Sequence, residues 1–183
     1  MTAPNRRLAA AIATAAVAAG VLAAAGDATP PDAATRADAL AAAPATVSGG
    51  PVHSARTVRV AASVRAAAVP LPAGGTFDGV RWELGGDAVE QSAMDGVLQY
   101  NAACQWLRAW RDGREREVAA RVLRAAPAWP ALRGTESGDW LASVAKEVGA
   151  GGGETVAAML VDCDASHVRE TEYAAGLGLK PSR

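Results

Sequence analysis

Cys163, Asp164, His167 and Glu170 have types and a spacing that bear on chemistry. If they lie on one helix, Cys163 and His167 are four residues apart and share a face, with Glu170 close by. A thiolate, an imidazole and a carboxylate are all ligand types for zinc. A zinc site needs another strong ligand from elsewhere, and the only other histidine, His53, sits far upstream among Pro and Gly residues. Cys163 also has a competing use. The chain holds two cysteines, Cys104 and Cys163, and each falls on the apolar side of a helical pattern. In an oxidising compartment such a pair forms a disulfide, and a bonded Cys163 ligates no metal. The expectation is a Cys104–Cys163 disulfide and no metal site, with Cys163, His167 and Glu170 as the residual metal candidates.

Nucleophilic chemistry finds little footing. Ser137, Asp139 and His167 supply the residue types of a triad, but nothing in their spacing assembles one. No Gly-x-Ser-x-Gly elbow occurs in the sequence. The run Gly149 to Gly153 resembles a phosphate loop only in glycine content. It lacks the Lys-Ser/Thr ending, and the carboxylate of Glu154 follows it. It reads as a helix terminator, and no cofactor is expected.

The tryptophans are the other candidates. Trp82, Trp110, Trp129 and Trp140 fit core positions. Trp106 falls outside the apolar stripe that holds Leu107 and Trp110, so it is expected to be more exposed than Trp110 and Trp140; core packing or a contact with the linker is the first reading of it and a partner contact the second. Residues 108–133 carry seven Arg and three acids. The four-residue spacings Arg108–Asp112, Arg111–Glu115, Asp112–Arg116 and Glu117–Arg121 suggest a solvated face of weak ion pairs. The chain of 183 residues has a net charge of −1, and residues 76–183 hold 16 acidic against 12 basic side chains. That balance argues against a nucleic-acid binder, which needs a basic surface.

The elements that would position these residues follow from periodicity. Val80, Trp82 and Leu84 alternate with Arg81 and Glu83, which predicts a short extended segment ended by Gly85-Gly86. A variant capping box, Asp87 with Glu90, predicts a helix over 88–111. Its apolar face runs through Val89, Ala93, Gly96, Tyr100, Ala103 and Leu107. Further helices are predicted at 114–126, stopped by Pro127, at 138–148 after Thr135, and at 154–175. The fold class is mainly α, a small bundle of about four helices over residues 76–176, with a tail at 177–183.

Upstream, the composition changes. The first 76 residues hold no aromatic side chain, which leaves little from which to build a core. Asn5-Arg6-Arg7 precedes eighteen uncharged residues, 8 to 25, and a small-residue Ala23-x-Ala25 site. This is the pattern of an export signal over residues 1–26, released after cleavage or retained as an anchor by residues 8–25. Residues 27–75, with Pro30-Pro31, Pro44, Gly49-Gly50-Pro51, Pro70 and Pro72, read as a disordered Ala/Pro-rich linker. A short helix is possible within it at about 32–43, started by Asp32 and stopped by Pro44, and Val58, Val60 and Val64 suggest a second brief piece.

Taken together, the chain reads as an exported, extracytoplasmic helical module with a binding or structural role in the cell envelope. Its partner would be an envelope protein or polymer, and it would meet the membrane only through its N-terminal segment. The alternative is a small secreted hydrolase whose site the sequence does not locate.

Overall fold

The computed structural model describes residues 31–54, 56–82 and 88–182. The expected export signal, its cleavage site and the anchor at 8–25 lie outside these residues, as do Leu84, Gly85-Gly86 and Asp87.

The first described element is a helix, α1 (Ala33–Ala42), and it starts where the sequence puts it. The Asp32 carboxylate accepts the Thr35 N–H at 2.7 Å, satisfying one of the free amides of the first turn. Ala34 and Ala37 are fully buried. A strand β1 (Val52–Ser54) and a helix α2 (Val58–Ala66) follow. β1 pairs antiparallel with β2 (Ala88–Glu90), with His53 opposite Val89. Then come the helices α3 (Gln91–Arg111) and α4 (Arg116–Ala125), a 3₁₀ turn at Ala126–Ala128, α5 (Glu136–Gly149) and α6 (Glu154–Gly176).

Six helices therefore stand among the described residues, rather than a bundle of about four. The difference is the expected linker. Residues 31–75 belong to the same compact unit as the rest of the chain to Arg183. Val58, Ala62, Val69 and the fully buried Pro70 join the core. The lack of aromatics in this segment does not leave it unpacked, because the opposing helices supply them. The indole N–H of Trp129 donates to the Ala37 carbonyl at 3.2 Å. The indole N–H of Trp106 donates to the Pro70 carbonyl at 2.9 Å. Arg133 reaches the carbonyls of Ala41 and Ala43, and Arg36 those of Ala67 and Val69. The two indole bonds are buried and satisfy carbonyls that would otherwise be left unpaired at a cost. Small alanine faces also let α1 come close to α4, so dispersion contacts compensate for the missing bulk.

α3 is the axis of the fold. Met94, Leu98, Ala102, Trp106, Leu107 and Ala109 all show no exposed surface, and by helical phase they spread over more than half of the circumference. A buried face that broad marks a helix packed on several sides, and α2, α4 and α6 pack around it. This overturns the expected exposure of Trp106, which is 0% exposed. Trp140 is the reverse case, 40% exposed where a core position was predicted. The apolar stripe assigned to α3 is buried only in its C-terminal half, at Ala103, Leu107 and Trp110, while Ala93 and Val97 are exposed and Gly96 and Tyr100 are half-buried.

Smaller corrections have local causes. α3 begins three residues later than predicted, because residues 88–90 pair with β1 and Glu90 makes no side-chain cap. Val80 and Trp82 are buried and Arg81 is exposed, as the alternation predicts, but no ladder forms there. Gly79 explains the close docking of this segment on α6, since a Cβ there would sit 2.5 Å from the Glu170 carbonyl oxygen. The starts and ends of α4, α5 and α6 agree with the sequence reading to within about two residues. The Thr135 hydroxyl caps α5 by accepting the Gly138 N–H at 3.1 Å.

Candidate functional site

α3 leaves one strip uncovered, where Val97 and Tyr100 lie a turn apart, with Asn101 beside Tyr100. Opposite it, α6 presents Asp162, Ser166, Arg169 and Glu170, and the turn before α5 adds Thr135 and Ser137. Together they line a cleft of about 620 Å³, a size suited to a small ligand.

The two long walls are covalently joined. Cys104 on α3 and Cys163 on α6 form a disulfide with their Cα atoms 5.2 Å apart. Both cysteines sit mid-helix on inward faces, as the helix phases predict. Cys104 itself borders the cleft, so the bond fixes the spacing of the walls where the ligand-facing side chains project.

The polar side chains of the cleft form a continuous network. Asn101 Nδ2 donates to Glu170 Oε1 at 2.7 Å, and the Ser166 hydroxyl donates to the same oxygen at 3.1 Å. Behind them, Gln105 Nε2 donates to Asn101 Oδ1 and to the Thr76 carbonyl, each at 2.8 Å. The network thus orients Asn101 from both ends and holds the Glu170 carboxylate in place. Tyr100 is half-buried, and burial first, then the Asp162 charge, pushes its phenol above the ordinary value. The hydroxyl therefore stays protonated and can donate, while the ring offers an apolar face.

The metal candidates do not converge. Cys163 is bonded to Cys104. His167 turns its Nδ1 to the Ser182 hydroxyl at 3.2 Å, away from Glu170, whose carboxylate is engaged by Asn101 and Ser166. Burial, followed by the charge of Arg108, lowers the His167 pKa. Among the described residues no group of three His, Cys, Asp or Glu side chains gathers as a metal site.

Trp106 is not at the site. It is fully buried against Pro70, which removes it as a surface contact for a partner. The arginine-rich stretch also pairs differently from the four-residue spacing. Asp164 on α6 takes Arg108 at 3.2 Å and Arg111 at 2.5 Å, while Asp112 takes Arg111 and Arg114. α6 supplies a closer carboxylate than the next turn of the same helix does.

Of the cleft residues, sequence reasoning singled out Cys104, Glu170 and, among the residue types of a triad, Ser137. It placed Tyr100 on an apolar face and gave Asn101, Ser166 and Asp162 no role. The signal available was the pair Tyr100-Asn101 within a helix whose neighbours are almost all apolar. Nothing in the sequence pairs that strip with α6. No family model matches this chain, and no curated protein or solved structure is similar to it.

Proposed function

We propose that this protein is an exported, extracytoplasmic binding module whose cleft between α3 and α6 takes a neutral, hydroxyl-bearing ligand, a segment of an envelope polysaccharide. The observation that carries this reading is the neutral, half-buried Tyr100 beside the Asn101–Glu170–Ser166 network. A sugar presents an apolar face to an aromatic ring and hydroxyls at its edge, and this cleft offers the complement of both. Fixed side chains on two joined helices lower the ordering cost of binding.

Export is supported by two separate features. The basic and then apolar N-terminal sequence has the form of a secretion signal, and the Cys104–Cys163 bond suits an oxidising compartment. No helix among the described residues is long and apolar enough to cross a membrane.

Binding is favoured over hydrolysis by the way the cleft's carboxylates are held. Glu170, which with Asp162 supplies the two carboxylates of the cleft, already accepts from Asn101 and Ser166, and a carboxylate fixed in that way suits an acceptor for ligand hydroxyls.

The test is calorimetric titration with a defined oligosaccharide, the tetramer of N-acetylglucosamine, followed by a glycan array. Tyr100→Ala should abolish binding, and Glu170→Gln should weaken it by about ten-fold through loss of the charged acceptor. Absence of binding to every glycan on the array, or equal binding by Tyr100→Ala, would end this reading.

A further inference from the structure

A second cleft, of about 710 Å³, opens between α2, α3 and the segment 43–50, and it has different chemistry. An ion pair lies in it. Asp95 of α3 is 4% exposed, and Arg65 of α2 meets it through two parallel bonds, Nε to Oδ1 and NH2 to Oδ2. The Arg65 side chain remains 37% exposed.

We infer that Arg65, positioned by Asp95, is the receptor for the free carboxylate end of a short apolar peptide. A guanidinium carries five N–H groups in one plane. Asp95 occupies the Nε edge and uses two of them. The edge formed by NH1 and the outer hydrogen of NH2 has the fork geometry that a second carboxylate fits. Asp95 also fixes the rotamer of a long side chain, so that entropy is lost on folding rather than on binding.

The rest of the cleft defines the ligand. Leu40, Pro44, Val47, Val64 and Val69 form its apolar walls, with Val47 and Val64 at 84% and 72% exposed. Exposed valines on both sides of a charged receptor match a carboxylate flanked by small apolar side chains. Gln91 and Ser92 lie along the same cleft and supply partners for peptide groups. A sugar finds no aromatic face here, which separates this site from the Tyr100 cleft.

The experiment titrates the whole protein with acetyl-Ala-Ala-Val bearing a free carboxylate, and with the same peptide amidated, while the ¹⁵N resonances are followed. The acid should saturate, moving the Arg65 Nε–H signal and the backbone signals of 46–50 and 91–95. The amide should bind at least about ten-fold more weakly, since it loses a charged fork. Arg65→Lys, which keeps the charge and loses the fork, should weaken the acid by a similar factor, and Tyr100→Ala should leave it unchanged. Equal binding of acid and amide, or no saturation by the acid up to about 10 mM, would overturn the assignment and leave the pair as a structural tie between α2 and α3. The peptide comparison uses the unmodified chain, so it decides even if Arg65 variants fail to fold.

Discussion

The indole N–H of Trp106 donates to the carbonyl of Pro70 at 2.9 Å, and neither side chain retains appreciable exposure. The middle of α3 is thereby tied to a proline-containing stretch that composition alone would leave unfolded. A buried carbonyl with one donor depends on that donor. Trp106→Ala should therefore cost about 3–5 kcal/mol of folding stability in urea denaturation. Trp106→Phe should cost less, because it keeps most of the packing and loses the hydrogen bond. A loss below about 1 kcal/mol for the alanine variant would mean that this indole is not held in the core.

The Cys104–Cys163 bond closes a loop with a sequence separation of 59. In the chain-entropy description a loop of that size is worth roughly 4 kcal/mol, and native-state strain commonly reduces it. Reduction, or Cys163→Ala, should lower stability by about 2–4 kcal/mol. Thiol titration of the unfolded, unreduced protein should find no free cysteine. Two titratable thiols would contradict the bond.

Limited proteolysis should leave residues 31–75 within the resistant fragment, which should not begin near Thr76. Ala34, Ala37, Val58 and Ala62 are buried, and the 43–50 segment is held by the Thr46 N–H to the Pro130 carbonyl at 2.9 Å. Protection follows from buried, bonded backbone. A stable product starting at residue 76 would show that the first two helices detach as a unit.

Glu147 acts as a cap at the start of α6 from the end of α5. Its carboxylate accepts the Thr155 hydroxyl at 2.6 Å, the Thr155 N–H at 3.2 Å and the Val156 N–H at 2.8 Å. The Thr155 hydroxyl first, and then the Val156 amide, hold its pKa below the ordinary carboxylate value. A lowered folded pKa means that the contribution is present above the unfolded value and is lost as pH falls through the folded one. The melting temperature of Glu147→Gln should lie below that of the parent at neutral pH. The gap should close as pH falls below the ordinary carboxylate range and through the lowered folded value. A gap independent of pH would mean that the charge plays no part in the cap.

The sequence by itself settled what is local. Asp32 starts α1 and Thr135 starts α5 because a side-chain oxygen three residues ahead of a free amide caps it regardless of distant contacts. The run Gly149–Gly153 separates α5 from α6 for an equally local reason. Two cysteines on two inward helix faces were enough to place the disulfide. Tertiary structure decided which segments are inside. An alanine-rich helix carries little apolar mass, so whether it packs depends on the partner it meets, and for α1 that partner is Trp129 with α4. Trp106 illustrates the same limit from the other side. A stripe defines the buried face only when a helix has one covered side, and α3 is covered by α2, α4 and α6. The cleft was hidden for a related reason. Tyr100 and Asn101 gain meaning only from Ser166 and Glu170 across from them, and that pairing comes from the docking of α3 on α6, long-range packing that no local spacing encodes.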